Sequence, residues 1–168
     1  MESAKRKIKK AYLASPLGFS DAGRLYYYTK LIPALKDIGL DIIDPWGLSD
    51  LNEIERVSKM EFGAAKRDAW RKLNPVMGRN NAAGIDKADI IIAVLDGVDI
   101  DSGTASEIGY GNAKGKAIEG YRGDFRLSAD NIGSTVNLQV EYFITSTGGE
   151  IADSLEKLLE NIKRTYII

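Results

Sequence analysis

Residues 89–95 read DIIIAVL, and after a short gap residues 101–111 read DSGTASEIGYG. The first stretch has the length and branched-residue content of a strand and shows no polar alternation, as expected of a strand buried on both faces of a parallel sheet. The second holds acids and glycines and then opens a helix. The junction predicts a strand followed by a loop at the carboxyl edge of a parallel sheet, which is where open α/β folds bind ligands. Asp99, Asp101 and Glu107 are expected to gather there. Thr104 reads as an N-cap with Glu107 three residues on, the spacing of a capping box. The density of carboxylates, and the space left by Gly103, Gly109 and Gly111, favour a functional reading of the same residues.

The pattern extends in both directions. A first strand is predicted over Ile8–Ala14, then the loop Ser15–Ser20. A helix starting near Ser20 or Asp21 would turn Leu25, Tyr28, Ile32, Leu35 and Ile38 inward, with Pro33 kinking it or shifting a boundary and Gly39 ending it. A second strand spans Leu40–Asp44 and turns at Asp44–Gly47. Asp50 and Glu53 suggest a capped helix to about Gly63, and 64–87 reads as helical with an interruption near Asn74–Pro75. After the strand 89–95 come a helix from Thr104 to about Lys114 and a strand at Ala117–Tyr121. Residues 121–134 are polar and aperiodic. Val136–Ile144 suits a strand or a helix. Ala152–Lys163 is an amphipathic closing helix with Leu155, Leu158, Leu159 and Ile162 inward. Alternating strands and helices imply βαβ units. The expectation is one α/β domain over residues 1–168, a doubly wound parallel sheet of four to five strands.

Composition narrows the chemistry. The chain has 168 residues, 44% hydrophobic and 28% charged, with a net charge of -1. That length supports one domain with a real core, and the charge points to neither nucleic acid nor membrane as a partner. There is no Cys and no His. Thiolate chemistry, disulfides and His-based triads are therefore excluded, and a transition-metal site is disfavoured, while carboxylates could still hold Mg²⁺. Acid–base work falls to Asp, Glu, Tyr or Lys. No stretch reaches the length of a membrane helix, and MESAKRKIKK lacks the apolar core of a signal peptide. It reads as a solvated lead-in with Lys5–Lys7 exposed, and a cytoplasmic home is expected.

Four segments carry a family resemblance: Tyr12–Pro16 (YLASP), Gly84–Val94 (GIDKADIIIAV), DSGTASEIGYG, and Val136–Gln139 (VNLQ). Their order and spacing from Tyr12 to Gln139 resemble the nucleoside 2-deoxyribosyltransferases. The resemblance implies a flavodoxin-like five-stranded sheet, transfer of a 2-deoxyribosyl group between nucleobases, no cofactor, no metal and a homo-oligomer. By that resemblance Glu107 matches the nucleophile, Asp101 an acid against base and sugar, and Tyr12 a donor to the nucleophile. Asn137 matches an Asn contributed by a neighbouring subunit, and Gln139 a residue near the base or sugar. One departure is at Asn81, where some relatives carry an Asp that handles the base proton; an amide can hydrogen-bond a base but cannot act as an acid. Ser15, Phe19, Trp46 and Gly103 are expected to border the substrate, although Phe19 and Trp46 also suit plain packing.

The chemistry implied is a double displacement. A carboxylate attacks C1′ through an oxocarbenium-like state, and a second base then attacks the glycosyl-enzyme. The nearest alternative is hydrolysis of a deoxynucleoside 5′-monophosphate, with Ser15, Ser20 and Arg24 as an anion site. Relatives of that kind often have a Ser in place of Asp101. A non-catalytic nucleotide-binding module is a second alternative. A phospho-receiver is disfavoured because the first strand lacks paired acids. The RGD within Tyr121–Arg126 reads as a loop near the site, with Arg122 and Arg126 pairing with Asp124, Asp130 or the substrate. Purine or pyrimidine preference and oligomer number stay open.

Overall fold

The computed structural model describes residues 5–168, so the first four residues of the lead-in lie outside the described residues. Among the described residues seven strands form: β1 (Arg6–Lys7), β2 (Lys10–Ala14), β3 (Asp41–Ile43), β4 (Ile90–Val94), β5 (Ala117–Tyr121), β6 (Ile151–Ala152) and β7 (Tyr166–Ile167). The helices are α1 (Asp21–Tyr26), α2 (Ile32–Asp37), α3 (Leu51–Ser58), α4 (Ala64–Lys87), α5 (Ser102–Ala113), α6 (Leu138–Thr145) and α7 (Leu155–Thr165). β2 to β6 make one parallel sheet in the order β3-β2-β4-β5-β6, which is the flavodoxin-like winding. β1 pairs with β7 in a separate two-stranded ribbon, so Arg6 and Lys7 are exposed but paired through their backbone.

β4 is buried along its whole length, as its unalternating sequence demands. Successive residues feed two cores. Leu13, Ile90, Ile92 and Val94 pack with Tyr27, Leu31, Leu35, Leu158 and Ile162 on the α1, α2 and α7 side. Tyr12, Ile91, Ala93 and Leu95 pack with Ile85, Ile108, Val140 and Ile144 on the α4, α5 and α6 side.

Several expectations are corrected. A π turn at Tyr27–Leu31 separates α1 from α2 and leaves Pro33 in the first turn of α2, where its missing N–H costs little. The π turn rotates the helix face. Tyr27 and Leu31 go inward with Leu35, while Leu25 and Tyr28 are exposed. Pro75 does not interrupt α4, which runs through it unbroken for 24 residues. Pro75 and Arg71, whose carbonyl it deprives of a partner, both lie on the exposed side. Val136–Ile144 resolves as α6, N-capped by Asn137. The closing helix starts at Leu155, because Ile151–Ala152 are taken by the fifth sheet strand.

Glu119, on β5, faces the α7 core and is fully buried. The Glu150 N–H donates to its Oε2 at 3.1 Å, and the Tyr166 hydroxyl stands beside its carboxyl and opposes the effect of burial. Burial pushes its carboxyl up to about 7 from an ordinary 4.5. The folded state therefore holds a proton that the unfolded chain releases. Stability falls as pH rises from about 4.5 to about 7 and is level above that. Glu119→Gln is expected to exceed the wild type by roughly 2–3 kcal/mol at pH 8. The gain should vanish near pH 4.5, as read by urea denaturation at both pH values. A gain equal at both would exclude titration of Glu119.

Candidate active site

The loops leaving the carboxyl ends of β2, β3 and β4 surround a cleft of about 320 Å³. It lies beside the junction of β2 and β4, the switch point of this winding. Each wall follows from local sequence. After β2, Ser15 N-caps the turn Pro16–Phe19 by accepting from the Leu17 N–H at 3.1 Å. After β3, Asp44 accepts from the Trp46 N–H and from the Tyr27 and Tyr28 hydroxyls. This fixes the turn that carries Trp46. Asp50 then caps α3, and its side chain, not Glu53, supplies the interaction, because Glu53 is engaged by Arg56.

After β4, the cap of α5 differs from expectation. Asp101 is the N-cap; its Oδ2 accepts from the Thr104 N–H at 2.9 Å and from the Thr104 hydroxyl at 3.3 Å. Both residues are capping types, and the carboxylate reaches the free N–H one turn in. Glu107 is therefore released from any capping role and stands in the second turn of α5 facing the cleft. Asp99 accepts from the Ile100 N–H and is exposed, outside the cleft.

Glu107 is held through one oxygen. Its Oε1 accepts from the Tyr12 hydroxyl at 2.6 Å and from Asn81 Nδ2 at 3.4 Å. Burial raises the Glu107 carboxyl, the Tyr12 hydrogen bond opposes this, and the nearby Asp101 charge adds to it. Tyr12 is itself pushed far above the ordinary phenol range, by burial first and by the Glu107 charge second. It therefore keeps its proton and acts as a hydroxyl donor to Glu107 at neutral pH.

Of the expected residues, Ser15, Phe19, Trp46, Asn81, Asp101, Gly103 and Glu107 line the cleft, with Tyr12 directly behind Glu107. Asn137 and Gln139 are elsewhere. Asn137 caps α6, contacts Asp130, and Gln139 is exposed. Phe19 and Trp46 meet edge to face at 4.8 Å between ring centres, so packing and cleft lining coexist in one pair. The ring of Trp46 lies on Gly18, where any Cβ would stand 2.0 Å from it.

Pro45, Ser49, Leu51, Ile54 and Met77, which the sequence did not single out, also line the cleft, as does Thr104, which was expected only as a cap. The available signal was spacing: Met77 and Asn81 are four apart on α4, and Leu51 and Ile54 three apart on α3.

The lining contains two carboxylates and no Lys or Arg. Arg24 is turned to Asp21 and to the Gly18 carbonyl, so the Ser15, Ser20 and Arg24 set forms no open anion site. Arg122 of the RGD segment is buried and donates to the carbonyls of Leu95, Gly97 and Arg126, while Asp124 pairs with Arg126. Among the described residues no group of three or more Asp or Glu side chains is placed to hold a metal ion, and no helix is long and apolar enough to cross a membrane.

A family model described as nucleoside 2-deoxyribosyltransferase matches residues 11–141. Among solved structures, a conserved protein from Enterococcus faecalis V583 is 26% identical, covering 94% of this chain and 98% of that one, with a TM-score of 0.64. A 2-desoxiribosyltransferase from Leishmania mexicana is 23% identical over 95% of this chain and 99% of that one, with a TM-score of 0.66. A CMP N-glycosidase from Clostridium botulinum is 16% identical over 92% and 99%, with a TM-score of 0.54. The last two are likenesses of fold. No match is found among curated proteins.

The geometry depends on a close approach of α4 to β2. A Cβ at Gly84 would stand 2.9 Å from Leu48 Cδ1 and 3.1 Å from Tyr12 Cε2. Gly84→Ala is expected to cost about 1 kcal/mol net, overpacking outweighing a helix-propensity gain of ~1 kcal/mol. Gly78→Ala, on the same helix with nothing within 4 Å of its added Cβ, should instead stabilise by up to about 1 kcal/mol. Chemical denaturation of the two variants side by side checks both signs.

Proposed function

The chain belongs to the nucleoside 2-deoxyribosyltransferase family, and we propose that it transfers a 2-deoxyribosyl group between nucleobases with Glu107 as nucleophile. The observation that carries this reading is the Glu107 carboxylate, half-buried on the cleft wall and held through Oε1 by the Tyr12 hydroxyl.

Glu107 attacks C1′ of the donor nucleoside, the C1′–N bond breaks, and its electron pair leaves with the base. The glycosyl-Glu intermediate is then attacked by a second base, C1′–O breaks, and the carboxylate is regenerated with net retention. Asp101 is the candidate to exchange the base proton. Its Oδ2 is committed to Thr104, while no hydrogen bond engages its Oδ1 among the described residues, and the residue lines the cleft. Asn81, being an amide, cannot do so. Phe19, Trp46, Leu51, Ile54 and Met77 supply an apolar surround that disfavours water as the acceptor.

The absence of any cation from the lining supports a free nucleoside over a 5′-monophosphate, since two carboxylates would repel a phosphate. Asn137 would complete the site from a neighbouring subunit, in at least a dimer and, by resemblance, a tetramer or hexamer. In support, Leu138 and Tyr142, four apart on α6 beside Asn137, are both exposed. The reaction needs no cofactor, and it would serve cytoplasmic nucleotide salvage.

Incubation with deoxyinosine and adenine, with a parallel deoxythymidine donor, is followed by chromatography. Wild type is expected to form deoxyadenosine, and Glu107→Ala to lose about 10³-fold or more. Release of free base and deoxyribose alone would favour the hydrolase. No product with any donor would leave the binding module as the reading. Asp101→Asn keeps a capping side chain and removes the acid. It is expected to unfold as wild type does while transfer falls about 10²-fold or more. Asp101→Ala should in addition lose about 1 kcal/mol of stability.

A further inference from the structure

The family resemblance leads one to read Asn81 as a base-binding residue in the place of an acid. The geometry points elsewhere. Asn81 Nδ2 and the Tyr12 hydroxyl both converge on Oε1 of Glu107, and among the described residues no donor bonds Oε2. An ionised carboxylate only accepts, so the amide must turn its NH₂ toward Glu107 in that state.

The two donors are mechanically linked. Asn81 stands one turn before Gly84, the point at which α4 presses on the Tyr12 ring. The preceding residue, Asn80, donates to the Leu48 carbonyl and to Ser49 Oγ, both at 3.1 Å. Adjacent amides on one helix thus hold the loop after β3 with one side chain and the nucleophile with the other. Both amides also sit within the continuous helix α4.

We propose that Asn81 is a positioning residue of the nucleophile: with Tyr12 it commits Oε1, and so makes Oε2 the oxygen that bonds C1′. A lone pair of Oε2 forms the O–C1′ bond as the C1′–N bond breaks and its electrons leave on the base, which takes up a proton. Oε1 becomes the carbonyl oxygen of the neutral ester and keeps its two donors, which meet the carboxylate charge again when the second base attacks C1′ and the C1′–O bond breaks. This rests on Glu107 being the nucleophile proposed above. An acid at position 81 would do the reverse. It would remove a donor and add a like charge beside Glu107. The titratable groups facing Glu107 are Tyr12 from β2 and Asp101 from the head of α5; α4 contributes the neutral amide.

The test reads Glu107 directly, without substrate. Protein labelled with ¹³C at Glu carboxyls is titrated by NMR, the Glu107 signal being identified by its absence in Glu107→Gln. Asn81→Ala is expected to raise the Glu107 midpoint by about one pH unit, and Asn81→Asp by more. In turnover, the acid limb of kcat/KM should move up in parallel. Above the shifted limb Asn81→Ala should recover to within about tenfold of wild type, with KM for the acceptor base little changed. An unmoved Glu107 midpoint in both variants, or a raised base KM with an unmoved midpoint, overturns the proposal. If wild type transfers no sugar while the midpoints shift as stated, the positioning geometry stands and the reading of the reaction fails, so the two are told apart.

Discussion

The 2.6 Å hydrogen bond from Tyr12 to Glu107 is the interaction on which the site depends. A carboxylate taken out of water is destabilised unless donors replace its hydration. Here one donor comes from β2 and the acceptor from α5, 95 residues later. They meet because β2 and β4 are neighbours in the sheet, with Tyr12 in register with Ile91, and because α5 begins directly beyond β4. The sheet order is therefore not scenery.

The same requirement explains α4. A hydroxyl held by one long side chain alone would wander, and the Tyr12 ring is pinned by the backbone of α4 at Gly84 on one side and the sheet on the other. A Cβ at that position would stand 2.9 Å from Leu48 Cδ1 and 3.1 Å from the Tyr12 ring, so Leu48, the ring or the helix that carries Met77 and Asn81 would have to shift. The Pro75 within α4 bears on this too. It falls on the solvent side, so that the helix stays continuous up to the turn that matters.

Much of this was legible in the residues. DIIIAVL declared a strand buried on both faces, and the acidic loop behind it declared a carboxyl-edge site. The misreadings have specific physical causes. Asp101 and Thr104 are both good caps three residues apart, and only the reach of the longer acceptor decides between them. The π turn before Pro33 adds a residue to the winding and rotates the buried face, which period counting cannot anticipate. β6 is two residues long and is held by backbone hydrogen bonds to β5, including Arg122 N–H to the Ala152 carbonyl, so it leaves no side-chain pattern. Leu51, Ile54 and Met77 are apolar residues on helices and carry no polar group that would set them apart from core in the sequence.

The loop between β4 and Asp101 shows how a site acid can be fixed from two directions. At its far end Asp101 is bound to the first turn of α5. At its near end the guanidinium of Arg122 reaches across from β5 to the carbonyls of Leu95 and Gly97. No carboxylate pairs with that buried cation among the described residues; carbonyl dipoles alone accept from it, and its Nε stays unpaired. A carboxylate partner would have neutralised the charge more cheaply. Asp124 stands near enough for the guanidinium to help hold its carboxyl down, but the loop itself is braced through the carbonyl contacts. The RGD segment is thus part of the frame of the site and has its Arg turned inward, which is incompatible with its display as a recognition tripeptide.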